Sequence, residues 1–263
     1  MSTSAKDYFK DQVIIITGAS SGIGRAAALI FAGLQAKVVL AARNEEKLNT
    51  LRDGILLTGG QALVIPADVG ILDDARRIVR ETILQWGKAD ILIACAGKYV
   101  QGPTHEIDIP SFGESMAVNF YGTVNVIKCV LPEMKRRGRG HIIIVNSLDA
   151  KKGITGDGPY VAAKAALDGF GDVLRQELKP FGITVTSVYP GRVDTPMIEH
   201  IQATRISAKI PPVKVVKAMI RGIRRKKAIV VVPGMFFPIG ALNNLVPRFL
   251  DWAYRILRLE GKK

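Results

Sequence analysis

Residues 13–24 read VIIITGASSGIG, and they decide how the chain folds. Val13, Ile14, Ile15 and Ile16 form an apolar, β-branched run of strand length. Small residues and three glycines follow, and Ala26 to Phe31 return to a helix-compatible pattern. Strand, tight turn and helix in that order open a βαβ unit. The glycines allow backbone of positive φ, which a tight turn alone can demand. They also let the backbone approach a pyrophosphate lying on the N–H groups of a helix start. Their position directly after an apolar strand favours nucleotide binding.

Working outward, further strand candidates cover residues 38–41, 62–65, 91–94, 142–145, 184–188 and 229–232, making seven in all. Helical stretches separate them, which predicts an α/β fold: one doubly wound, parallel sheet of about seven strands with helices on both faces. Length fits a single Rossmann-type domain over residues 1–263. The regular alternation stops after Pro190. Residues 192–213 are expected to form a substrate lid, its inner side carrying Met197, Ile198, Ile201, Ile206 and Ile210, with Pro211 and Pro212 ending it. Residues 233–263 are expected to form a C-terminal extension with an amphipathic helix.

Lysine and arginine number 37 against 23 acidic residues, a net charge of +14. Residues 214–263 hold twelve Lys/Arg against Asp251 and Glu260, so ten of those charges lie at one end. This asymmetry reads as a solvated basic face or as a surface for an anionic partner. The basic runs at residues 135–137 and 224–227 come with no recognition-helix or base-stacking motif, so no nucleic acid is expected. Cys95 and Cys129 lack metal-ligand spacing, and residues 1–10 lack a signal peptide's apolar core, which predicts a cytoplasmic setting. His105, His141 and His200 are scattered and read as surface or structural residues, with no metal site expected.

The spacing from Thr17 through Gly18 and Gly22 to Gly24 resembles the short-chain dehydrogenase/reductase family, whose turn is T-G-x-x-x-G-x-G. The resemblance runs from about Gln12 to Thr195 and implies a nicotinamide dinucleotide on Gly18, Ser20, Ser21, Gly22, Ile23 and Gly24. After the second strand stands Ala42-Arg43-Asn44, where a carboxylate would accept hydrogen bonds from an NAD ribose. Its replacement by Arg43, beside Asn44, predicts NADP(H). Asp68 and Val69 resemble the family's pair beside the adenine. The stretch through Ala96 and Gly97 resembles its N-N-A-G, with Ala94 and Cys95 replacing both asparagines, so looser local hydrogen bonding is expected there.

Tyr160 and Lys164 are spaced i,i+4, on one face of a helix that begins just after Pro159. A phenol of pKa about 10 is a poor acid–base group near neutrality, and a nearby ammonium plus a cationic nicotinamide are expected to lower it. Alone, the pair is also what a half-buried Tyr beside a snorkelling Lys would give. The resemblance implies more. Ser147, thirteen positions earlier, holds and polarises the carbonyl, and Tyr160 transfers the proton. Lys164 binds the nicotinamide ribose and tunes Tyr160, while Asn119 supports a water-linked relay to Lys164. Pro190, Gly191, Val193 and Thr195 match the segment that contacts the carboxamide. A small-molecule carbonyl or alcohol substrate and a homodimer or homotetramer are likewise implied. The apolar lid favours a hydrophobic, lipid-like substrate. The competing reading is a non-catalytic nucleotide-binding regulatory or scaffold protein, which a gap in the set Asn119, Ser147, Tyr160, Lys164 would have favoured.

The chain departs from the family's frequent D-G-G ending and runs through prolines at 233 and 238 into a Pro247-initiated helix. Arg248, Asp251, Arg255 and Arg258 recur three or four apart, leaving Phe249, Leu250, Trp252, Ala253, Ile256, Leu257 and Leu259 on a broad apolar surface. That surface packs on protein or makes peripheral contact with an anionic membrane. Residues 228–246 approach a spanning length, but their prolines, glycines and Asn243-Asn244 argue against a membrane span.

Overall fold

The computed structural model describes residues 4–201 and 208–257. In chain order they form α1 (Ala5–Phe9), β1 (Val13–Thr17), α2 (Gly22–Gly33), β2 (Lys37–Ala42), α3 (Glu45–Leu57), β3 (Gln61–Pro66), α4 (Leu72–Trp86) and β4 (Ile91–Ala94). Then come α5 (Ile109–Met116), a π-helical turn (Ala117–Tyr121), α6 (Gly122–Arg136), β5 (Gly140–Val145), α7 (Gly158–Leu178) and β6 (Ile183–Pro190). The chain closes with α8 (Pro212–Arg224), β7 (Ile229–Val232), α9 (Ile239–Leu245) and α10 (Pro247–Ile256).

The seven strands form one parallel sheet in the order β3-β2-β1-β4-β5-β6-β7. Each expected strand is present. Because side chains alternate across a strand, neighbouring residues of β1 serve different cores. Ile14 and Ile16 join Ala28 and Phe31 of α2, Leu51 of α3 and Met219 of α8. Val13 and Ile15 join Ile78 of α4, Val130 of α6 and Leu174 of α7. Two three-helix layers therefore cover opposite faces, which is why these strands read as unbroken apolar runs. The polar chain start holds a helix the sequence reading did not anticipate. Ser4 caps α1 by accepting from Asp7 N at 3.1 Å, and fully buried Phe9 packs edge-on against Phe31 with ring centroids 5.0 Å apart.

Strand order reverses between β1 and β4. In such sheets a crevice opens outside the carboxyl ends of the strands at that switch point.

Candidate active site

A cavity of about 700 Å³ lies there, and every residue singled out from the sequence as a cofactor contact or reaction-centre group lines it. The turn after β1 explains one wall. Gly18 adopts φ +68°, and a Cβ there would sit 2.9 Å from Ala96 Cα. A Cβ on Gly24 would collide with the Gly18 carbonyl. Ser21, at the head of α2, makes no capping hydrogen bond, so its side chain does not satisfy the helix's first amides. Bare backbone against an uncapped helix N-terminus fits a dinucleotide pyrophosphate. Ser20, Gly22 and Ile23 complete this wall.

Arg43 and Asn44 stand at the end of β2, and Asp68 and Val69 just after β3. The Arg43 guanidinium is 73% exposed and only 4.0 Å from one Asp68 carboxylate oxygen. Asn44 is committed to the backbone, accepting from Lys47 N at 2.8 Å as the cap of α3. The loosening expected at Cys95 is absent from the main chain. Thr17 Oγ1 accepts from Cys95 N at 3.0 Å and from Ala96 N at 3.1 Å, doing from β1 what an amide side chain could have done locally. Burial pushes the Cys95 thiol up to about 11.

Asn119 sits in the π-helical turn, a distortion common at functional sites. Its Nδ2 donates to Lys98 O at 2.7 Å and to Ser115 O at 3.0 Å, and its Oδ1 accepts from Lys98 N at 3.2 Å. It thus clips the loop after β4 onto the helix. Ser147 follows β5, and Tyr160 and Lys164 lie in the first two turns of α7. Lys164 does not snorkel. It is buried, donates to Val145 O at 3.0 Å, and stands 5.6 Å from the Tyr160 ring centre. Burial pulls its ammonium down to about 8. Pro190, Gly191, Val193 and Thr195 close the cavity from β6 onward.

The chain's own groups act on Tyr160 in the opposite direction to the lowering expected from Lys164 and a bound nicotinamide. Burial, then the neighbouring Asp149 carboxyl, push this phenol above the ordinary range, outweighing the Ser147 hydrogen bond that favours ionisation. Sequence reasoning missed that burial and, beside it, an acidic pair. Ser147 Oγ donates to Asp149 Oδ2 at 3.0 Å. Burial first, and Asp157 second, push Asp149 up to about 6. Asp157 is also raised, mainly by burial, and accepts from the Tyr99 hydroxyl at 2.6 Å. Tyr99 meets Tyr160 edge-on, with ring centroids 5.1 Å apart. Asp149 stands two residues from Ser147 and Asp157 three from Tyr160, and that proximity was the available signal.

Of the expected lid, Met197, Ile198 and Ile201 line the cavity; Ile206 lies outside the described residues. Ile210 joins Val193 in an isolated parallel bridge. His141 is structural, buried with its Nε2 2.8 Å from Thr186 Oγ1, and burial pulls it down to about 4. Among the described residues no group of three or more His, Cys, Asp or Glu could hold a metal ion.

The family model for short chain dehydrogenase matches residues 12–206. An uncharacterized oxidoreductase of Bacillus subtilis, YxnA, is 34% identical over 252 residues, covering 92% of this chain and 71% of that protein. An 11-beta-hydroxysteroid dehydrogenase-like protein of Arabidopsis thaliana is 32% identical over 248 residues, covering 92% and 80%. A short chain dehydrogenase/reductase of Burkholderia phymatum, solved in complex with NAD, superposes with a TM-score of 0.84 at 21% identity, covering 92% of this chain and 96% of that one. The chain belongs to the short-chain dehydrogenase family, and it is an oxidoreductase with a nucleotide-binding Rossmann-type fold.

Proposed function

We propose that this oxidoreductase uses NADP(H) to interconvert a carbonyl and its alcohol on a hydrophobic, lipid-like substrate. The convergence of Ser147, Tyr160 and Lys164 in the cavity that the glycine turn opens carries this reading. When bound, the cofactor supplies a hydride to the carbonyl carbon or takes one from the alcohol. The chain does the rest. The turn from Gly18 to Gly24 and the head of α2 receive the pyrophosphate. Arg43, exposed and only loosely paired, meets the 2′-phosphate. Asp68 and Val69 flank the adenine, Ala96 and Gly97 support the ribose side, and the segment from Pro190 to Thr195 holds the carboxamide.

Ser147 Oγ hydrogen-bonds the substrate oxygen, and Tyr160 gives that oxygen its proton. A phenol kept protonated by burial and two carboxyls suits donation to a developing alkoxide. Lys164 holds the nicotinamide ribose, and Asn119 positions the loop at Lys98. Met197, Ile198 and Ile201 supply the apolar wall that supports a lipid-like substrate, and the steroid-dehydrogenase-like name of the Arabidopsis relative agrees with it. The reading extends to one Rossmann-type domain with residues 192–213 as lid, to a homodimer or homotetramer, and to a cytoplasmic protein.

The test is NADPH consumption across ketone classes, with NADH as the cofactor control. Turnover of apolar ketones with NADPH in preference to NADH is the expected result. Tight NADPH binding with no turnover of any ketone would leave the scaffold reading in its place.

A further inference from the structure

The cavity does not use the last helices. β7 ends beside it: Gly191 N, on the cavity wall, donates to Val232 O at 2.8 Å. The chain then leaves the sheet at its carboxyl edge and builds α9 and α10 there. Asp251 of α10 pairs with Lys152, five residues beyond Ser147, and the Lys152 ammonium lies 5.6 Å from the Tyr254 ring centre. The Tyr254 phenol falls within electrostatic reach of Asp149 and Arg192, both cavity residues. One side of α10 is thus fixed at the mouth of the cavity.

The other side is bare. Phe249, Trp252 and Ile256 recur at i, i+3 and i+7 and are 59%, 57% and 57% exposed. Leu245 extends the stripe from α9, and Met235 and Phe237 add apolar surface from the turn before it. At about 100° per residue, Arg248 and Arg255 lie immediately beside the stripe on α10. Both are exposed and have no ion-pair partner among the described residues, whereas the intervening Asp251 is neutralised by Lys152. A Phe/Trp/Ile stripe edged by unpaired guanidinium groups matches an interfacial helix on an anionic bilayer, where the rings enter the headgroup boundary and the cations meet lipid phosphates. No helix among the described residues is long and apolar enough to cross a membrane.

We propose that α9 and α10 dock this face on an anionic lipid surface, setting the mouth of the cavity against the bilayer. The inference stands apart from the hydride-transfer reading, because lipid binding is measured without turnover. The intact protein is sedimented with phosphatidylcholine vesicles, with and without a third of phosphatidylglycerol, at low and high salt. The same is done with a Phe249→Glu/Trp252→Glu variant whose fold is verified by circular dichroism and NADPH binding. The wild type is expected to bind the phosphatidylglycerol vesicles, with salt weakening it. The double variant should bind at least about tenfold more weakly. A blue-shifted tryptophan emission on binding, absent from Trp252→Phe, would locate the contact. Failure of the wild type to sediment with anionic vesicles overturns the proposal. So does equal binding by the double variant, or a double variant that turns a wild-type oligomer into a monomer and leaves vesicle binding unchanged, since that face would then join two copies of the chain.

Discussion

The substitution Asp149→Asn keeps the side chain's shape and an acceptor for Ser147 Oγ while removing a charge that the fold disfavours. The carboxyl moves from an ordinary 3.8 to about 6 in the folded protein. A shift of about two units corresponds to roughly 3 kcal/mol. The folded pKa is raised, so between about pH 4 and pH 6 the native state holds a proton that the unfolded chain has released. The contribution of Asp149 to stability therefore falls as pH rises through that window and levels off above it. The amide of the variant does not titrate. Urea unfolding of both proteins at intervals from pH 4 to pH 8 should give nearly equal stabilities at pH 4. By pH 7.5 the variant should be the more stable by up to about 3 kcal/mol, the remaining Asp157 charge and solvent in the cavity reducing the gain. Parallel stability curves across the whole range would refute the reasoning, because they would mean that Asp149 ionises in the folded protein as easily as in water.

Other variants test the cofactor wall. Arg43→Ala removes one charge-assisted contact of about 1.5 kcal/mol, so isothermal titration should show roughly tenfold weaker NADPH binding. NADH binding should be unchanged, and equal losses for both would discard Arg43 as the phosphate contact. Gly24→Ala drives a methyl into the Gly18 carbonyl. Overpacking of about 1–3 kcal/mol predicts a Tm lower by roughly 2–12 °C, with NADPH affinity falling alongside it; an unaltered Tm and affinity would contradict the close backbone approach.

The sheet was readable because strands covered on both faces appear as unbroken apolar runs, and β1 is followed by glycines whose Cβ positions the backbone itself fills. Local spacing reported Tyr160 and Lys164 on one helix face, but not the burial that draws Lys164 onto Val145 O. The acidic pair was invisible for a different reason. Asp149 and Asp157 lie eight residues apart in an irregular loop, and only the path between β5 and α7 brings both carboxyls to Tyr160. Burial and that pair raise the phenol, against the lowering expected from Lys164 and a bound nicotinamide. Asn119 was located by the family resemblance, yet local periodicity encodes neither its π-helical turn nor its hydrogen bonds to Lys98.

Tyr160→Phe addresses the reaction centre most directly, since it deletes one hydroxyl and keeps the ring packed against Tyr99. With a ketone that the wild type turns over, kcat should fall by about 10²–10⁴ while the Kd for NADPH stays within a factor of about two. A variant that reduces the ketone at the wild-type rate would contradict the assignment of the proton to this phenol.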